Sequence, residues 1–276
     1  MKVVLSRKGF DSSAGGYPSP ILPNGVLQSL PIPQYDIYPQ YSEVRSRYKG
    51  MSLYDIMIQI KPWFIDGEKW RLEKDESCHL DPDIDRNAID RIQGWRGCFG
   101  QAGAALTVLE KAGISSGDLF LFFGWFQSCI GEDDKHIQMI KGNGKHVFFG
   151  YMQVDKKIYP SRDNIPDWLK RHPHASDKGE DNCIYIARKT STWDENIPGY
   201  GLFNYSPELV LTKEGMSRSR WNLPDCFRDL EITYHKRSSW KDGYFQSAAR
   251  GQEFVVEESN SVTEWAQQLV SRHVVT

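Results

Sequence analysis

Residues 119–126, LFLFFGWF, and residues 146–154, HVFFGYMQV, decide how the fold of this chain is read. Each is a short, nearly continuous apolar run dominated by aromatic side chains, the composition of a buried strand, and each is far too short to cross a bilayer as a helix. The residues between them, 130–144, are charged and glycine-bearing, so the two runs are expected to be hairpin neighbours. Working outward, further strands are expected at Val3–Leu5, Asn182–Ala187, Leu209–Leu211 and Gly251–Val256. Helical patterning covers Ser52–Ile60 with Ser52 as N-cap, Gly100–Gly113, a brief turn over Ile165–Lys170, and Ser261–Val270 capped by Ser261. Strands and helices are interspersed without a βαβ rhythm. The expected fold is therefore α+β: one mixed domain over residues 1–276 with a central, largely antiparallel sheet and peripheral helices.

The 34 Lys and Arg against 36 Asp and Glu leave a net charge of −2, so there is no global electrostatic case for nucleic acid, although a local basic patch remains open. The first ten residues, MKVVLSRKGF, hold no apolar stretch of signal-peptide length, and no membrane partner is expected. The 5 cysteines are scattered without a CxxC pair. Free thiols in a cytoplasmic setting are the reading, with no structural zinc.

Candidate chemistry begins straight after the first strand. Arg7, Lys8, Asp11, Ser12, Ser13, Gly15 and Gly16 follow it within a few residues, and Ser19 lies in the proline-spaced segment beyond. Glycines at positive φ and successive amides can form an anion-holding nest, and Arg7 and Lys8 can hold a phosphate. The GxxxxGK[ST] and GxGxxG spacings are both missing, so the turn is neither a P-loop nor a dinucleotide fingerprint. Asp11 can serve as a general base, or it can close the turn onto the amides of Ser13 and Ala14.

His79, Asp81 and Asp83 alternate and would share one face of an extended chain, as a divalent-metal set or an acid/base pair. The structural alternative has both aspartates capping the turn around Pro82. His172 and His174 flank Pro173 and read as loop residues unsuited to converging on one ion, so no metal ligand is assigned. Near the C-terminus, Glu253 stands within an apolar strand beside Gln252 and close to Arg250. A carboxylate there is costly unless it is paired, lies at a cleft, or sits on a solvated edge strand.

The segments SRKGFDSSAGGYPSPI, LPIP, CHLDPDI, FFGWF, FFGYMQV and RGQEFVV together resemble the third group of nucleotide-modification-associated domains, over essentially the whole chain. That resemblance implies modification of nucleotides or nucleic-acid bases, a nucleotide or nucleic acid as partner, and other base-modification enzymes in company. Locally, WKDGYFQSAARGQEFVV is similar to the catalytic-glutamate segment of DNA-targeting ADP-ribosyltransferases. This second similarity implies NAD as donor, Glu253 as catalytic carboxylate with Arg250 nearby, and Arg7 as a donor-holding group. Gln252 departs from that pattern.

The resulting expectation is a base-modifying transferase using Asp11 and Glu253. Arg7, Lys8, Ser12, Ser13, Gly15, Gly16, Ser19, His79, Asp81, Arg250 and Gln252 are its candidate substrate-binding residues. Two rivals stand beside it. One is a non-catalytic reader of modified bases with an aromatic pocket at Trp125, Phe148, Phe149 and Tyr151. The other is a metal-dependent hydrolase built on His79, Asp81 and Asp83.

Overall fold

The computed structural model describes residues 1–35, 38–133 and 136–275. Asp36 and Ile37, within the proline- and tyrosine-rich segment, and Asp134 and Lys135, within the charged connection, lie outside the described residues, as does Thr276. Among the described residues, nine strands share one sheet. They are β1 (Val3–Arg7), β2 (Ser19–Ile21), β3 (Cys98–Ala102), β4 (Leu119–Asp133), β5 (His136–Met139), β6 (Lys145–Ile158), β7 (Asn182–Ala187), β8 (Tyr200–Leu202) and β9 (Glu253–Val255).

The main path runs β9-β1-β4-β6-β7-β3, with β2 and β5 joined to β4 and β8 joined to β6. β1 and β2 run parallel to β4, and the other pairings are antiparallel. The two aromatic runs pair from Leu119↔Gln153 to Phe126↔Lys145, with a register shift between Phe122 and Phe123. Both strands continue past the apolar runs: β5 folds back onto the end of β4, and the end of β6 pairs with β7. The fold is α+β, as the interspersed elements implied.

Three helices lie around the sheet: α1 (Leu53–Ile60), α2 (Gly103–Lys111) and α3 (Asn260–His273). Ser52 caps α1 reciprocally, accepting from the Asp55 amide while the Asp55 carboxylate accepts from the Ser52 amide at 2.9 Å. Three boundary expectations are corrected. Residues 100–102 belong to β3, and the helix starts only at Gly103, whose φ of +59° turns the chain out of the strand. Ser261 lies inside α3, with Ser259 at the cap position. Pro207–Leu209 forms a 3₁₀ turn, leaving a lone bridge from Val147 to Val210 where a short strand was expected.

The sheet curls until its two end strands face each other. Phe99 of β3 packs against Phe120, Phe122 and Tyr185 inside the curl. Lys8, one residue beyond β1, lies over the Phe99 ring at 4.5 Å. Closure between β3 and β9 is made by side chains: Gln101 Nε2 donates to Glu253 Oε1 at 2.7 Å. Burial of the aromatic core supplies most of the driving force, since each such ring removes a large apolar area from water.

A second apolar cluster, including Phe10, Tyr17, Tyr41 and Phe64, lies under a small three-stranded sheet made by Ala14–Gly15, Trp63–Asp66 and Glu68–Arg71. It supports residues 78–84, which run along the free edge of β3. Asp83 and Cys98 exchange backbone hydrogen bonds there, each at 2.9 Å.

Candidate functional site

β9 pairs with β1 so that Glu253 lies opposite Ser6. Ser6 and Lys8 share a face of that chain segment, and both reach the Glu253 carboxylate. Lys8 Nζ meets Oε1 at 2.6 Å, and Ser6 Oγ donates to the same oxygen at 3.2 Å. Glu253 is 0 % exposed, so the solvated edge-strand reading is corrected: the strand is a sheet edge, but its carboxylate points into the curl. Oε1 thus takes an ammonium, an amide and a hydroxyl, while Oε2 is buried without a partner. The hydroxyl of Tyr185 is a second buried polar atom without a partner inside the curl. The centre lies one side chain below the surface, because Gln101 Nε2 also touches Oε1 of the exposed Gln252 at 3.4 Å.

The second polar centre stands at the outer edge of β3. Asp81 Oδ1 accepts from the Gly100 amide at 2.8 Å and lies 3.3 Å from His172 Nε2. Asp81 Oδ2 lies 3.8 Å from His79 Nε2 and 3.9 Å from His174 Nε2. A Cβ on Gly100 would stand 2.1 Å from His174 Cδ2, so only glycine lets this imidazole lie against the strand. Burial works against the charged form, but His172, whose Nε2 faces Oδ1, holds the Asp81 carboxyl well below the usual carboxylate range. Burial brings His174 down to about 4, against the pull of Asp81, so it is neutral at ordinary pH.

This arrangement corrects two expectations. His172 and His174 converge, because His172 is extended and Pro173 opens a single 3₁₀ turn that folds His174 back beside it. Asp83 leaves the set, since Arg91 takes its carboxylate at 2.7 and 2.6 Å and Trp95 Nε1 adds a bond at 3.2 Å.

The opening turn is placed differently from the nest expected there. Asp11 Oδ1 accepts from the Ser13 and Ala14 amides at 2.7 and 2.8 Å and from Ser13 Oγ at 2.8 Å. Burial works against the charged form, but these donors and Arg7 keep the Asp11 carboxyl below its usual range. The Gly16 amide donates to Asp11 O at 2.8 Å. Cβ atoms on Gly15 and Gly16 would collide with Phe10 and Ile65, so the paired glycines serve packing. Ser19 is buried, its Oγ accepting from the Leu30 amide at 3.0 Å.

Arg7 leaves β1 on the face opposite Ser6 and Lys8. Its guanidinium donates to the carbonyls of Gly251 and Ala249. Burial lowers it, with Asp11 and Glu253 raising and Arg218 lowering it in turn. Arg218 reaches Ser12 Oγ and lies over Trp125 at 4.0 Å. Asp11 and Glu253 therefore share Arg7 electrostatically but stand on opposite faces of the β1 segment, which corrects the expectation that the two carboxylates act together in one catalytic site. Arg250 is exposed beyond them.

Three of the four aromatic-pocket residues are spent in the core, while Trp125 is half-buried under the Arg218 guanidinium. Phe149 packs on Phe122 and Phe126, Tyr151 on Phe203, and Phe148 on Trp265. Gln101, His172, His174 and Arg218 were missed as site residues. Gln101 was hidden by the helical look of GQAGAALTVLEKAG, and the alternating His-Pro-His spacing was the available signal for the pair.

A family description, nucleotide modification associated domain 3, matches residues 2–257. The chain belongs to this family. The match takes in every residue of both polar centres and ends before α3. Membership assigns the protein a role in nucleotide or nucleic-acid modification. No curated protein matches the chain, and no solved structure does. Among the described residues, no helix is long and apolar enough to cross a membrane.

Proposed function

We propose that this protein is a nucleotide- or base-modifying transferase that works by carboxylate-assisted chemistry at a glycosidic centre, with Glu253 as the reacting carboxylate. The observation that carries this reading is the division of labour within one side chain. Oε1 is held by Lys8, Gln101 and Ser6, and Oε2 is free of any partner. Breaking a glycosidic bond develops positive charge on the sugar, which a fixed carboxylate oxygen stabilises while it orients the acceptor. Lys8 keeps the carboxylate in place, and turning Gln101 and the exposed Gln252 aside would open it to substrate. Arg7 and Arg218 beside Ser12 supply donors for a phosphate at the adjoining surface. Asp11 takes no part in this scheme, since it stands on the opposite face of β1 and its own turn takes one of its oxygens.

The test is mass spectrometry of nucleosides from cells producing the wild-type chain or Glu253→Gln. A mass-shifted nucleoside in the wild type, reduced ~10²–10⁴-fold in the variant, is the expected result. Equal modification in both strains would overturn the assignment.

A further inference from the structure

His79, Asp81 and His174 each offer one ligand atom, and these atoms all lie within 4.8 Å of one another. The geometry points to a divalent transition-metal site whose ligands are His79 Nε2, His174 Nε2 and Asp81 Oδ2. This site is separate from the Glu253 centre.

The hydrogen bonds behind the ligands set their chemistry. His79 Nδ1 pairs with Gln34 Oε1, and His174 Nδ1 pairs with Asn182 Oδ1 at 2.6 Å. An amide oxygen only accepts, so each Nδ1 carries the ring proton and each Nε2 presents its lone pair. The Asn182 amide is itself fixed, since Nδ2 donates to His174 O at 2.7 Å and to Asp177 O at 2.8 Å. Asp81 is fixed the same way: the Gly100 amide holds Oδ1, with His172 Nε2 beside it, and Oδ2 is left for the two imidazoles. His172 Nδ1 accepts the His174 amide at 3.3 Å, which puts its proton on Nε2, facing Asp81. Outer-shell partners of this kind orient metal-binding imidazoles and raise their basicity.

The distances favour a cation over direct hydrogen bonds. At 3.8 and 3.9 Å, the Nε2–Oδ2 separations exceed hydrogen-bond reach. Two lone pairs and a carboxylate oxygen facing each other repel unless a positive charge is shared among them. Adjacent ligands of a tetrahedral ion with ~2.1 Å bonds stand about 3.4 Å apart, a few tenths of an ångström inside the two Nε2–Oδ2 separations, and the two imidazole nitrogens lie within 4.8 Å of each other. Two imidazoles with one carboxylate suit Fe²⁺, Co²⁺ or Zn²⁺ over the oxygen-seeking Mg²⁺ and Ca²⁺, and three protein ligands leave coordination positions open. The His79 and His174 side chains are 18 % and 12 % exposed, so the open side faces solvent.

The experiment uses the full chain after dialysis against a chelator, with Co²⁺ and Zn²⁺ as probes in titrations followed by visible absorption and calorimetry. One equivalent bound per chain is expected, with ligand-field bands for Co²⁺. His79→Gln, at the most exposed ligand, and Asp81→Asn should weaken binding by more than 100-fold. Gln34→Leu and Asn182→Leu should weaken it by ~10–100-fold. His273→Gln, distant from the cluster, should bind as the wild type does. Circular dichroism confirms that each variant is folded. Three results would overturn the site: no stoichiometric uptake by the folded wild type, uptake unchanged in folded His79→Gln, or uptake of Mg²⁺ or Ca²⁺ in preference to Co²⁺ and Zn²⁺.

Discussion

Two buried carboxylates attach to consecutive residues of β3 and are treated in opposite ways. Glu253, inside the curl, accepts from the Gln101 side chain and is neutralised by an ammonium at 2.6 Å. Asp81, at the outer edge, accepts from the Gly100 amide and is ringed by imidazoles, with no Lys or Arg ion pair among the described residues. A side chain at position 100 would evict His174, and one at 101 unable to donate would cut Glu253 from β3. The lesson is that Glu253 arrives already paired, whereas Asp81 is arranged to receive a positive charge from outside.

The largest expected effect breaks the inner centre. Lys8→Met should cost about 3–5 kcal/mol in denaturant unfolding, because it leaves a buried carboxylate uncompensated. Lys8→Met combined with Glu253→Leu should recover most of that loss. A double variant as unstable as the single one would show that Lys8 acts by packing on Phe99 alone.

A buried imidazole away from both centres sharpens the comparison through pH. Burial, with Arg7 and Arg218 nearby, brings His146 down to about 3, and Trp221 Nε1 donates to its Nδ1 at 3.1 Å. The unfolded chain therefore binds a proton near pH 6.5 that the folded chain refuses. This contribution to stability is complete above about pH 6.5 and is lost as the pH falls toward 3. The wild type should lose about 2 kcal/mol between pH 7 and pH 5 that His146→Asn does not lose. Parallel pH profiles for the two proteins would refute this account.

The smallest effect belongs to the outer centre. In metal-free protein, Asp81→Asn should change stability by less than about 1 kcal/mol, because the retained Oδ1 can still accept from Gly100 and face His172 Nε2, while an amide N–H replaces the oxygen that faces two lone pairs. A loss as large as that of Lys8→Met would mean the imidazoles already neutralise Asp81 as fully as Lys8 neutralises Glu253.

Much of the architecture was legible in local pattern. The aromatic runs at 119–126 and 146–154 pair as neighbours, and Ser52 caps its helix, since strand burial and capping depend on nearby residue types. Gly100–Ala102 misled, because they run straight into an Ala- and Leu-rich helical stretch, while tertiary pairing with β7 made them strand. For the site, the sequence singled out Glu253, Lys8, His79 and Asp81 as chemically loaded. It offered closure of its own turn as one of two roles for Asp11, and the folded chain takes that one.

By itself, then, the sequence determined the strand runs, the family and the residue types able to hold charge or metal. Only the tertiary structure decided which of them meet. Curling of the sheet brings Gln101 to Glu253, and the edge path of residues 78–84 brings His79 and Asp81 to His174. These encounters join residues far apart in the chain, and no local propensity encodes them. They are settled when the aromatic core packs and each buried polar atom must find a partner or be left without one.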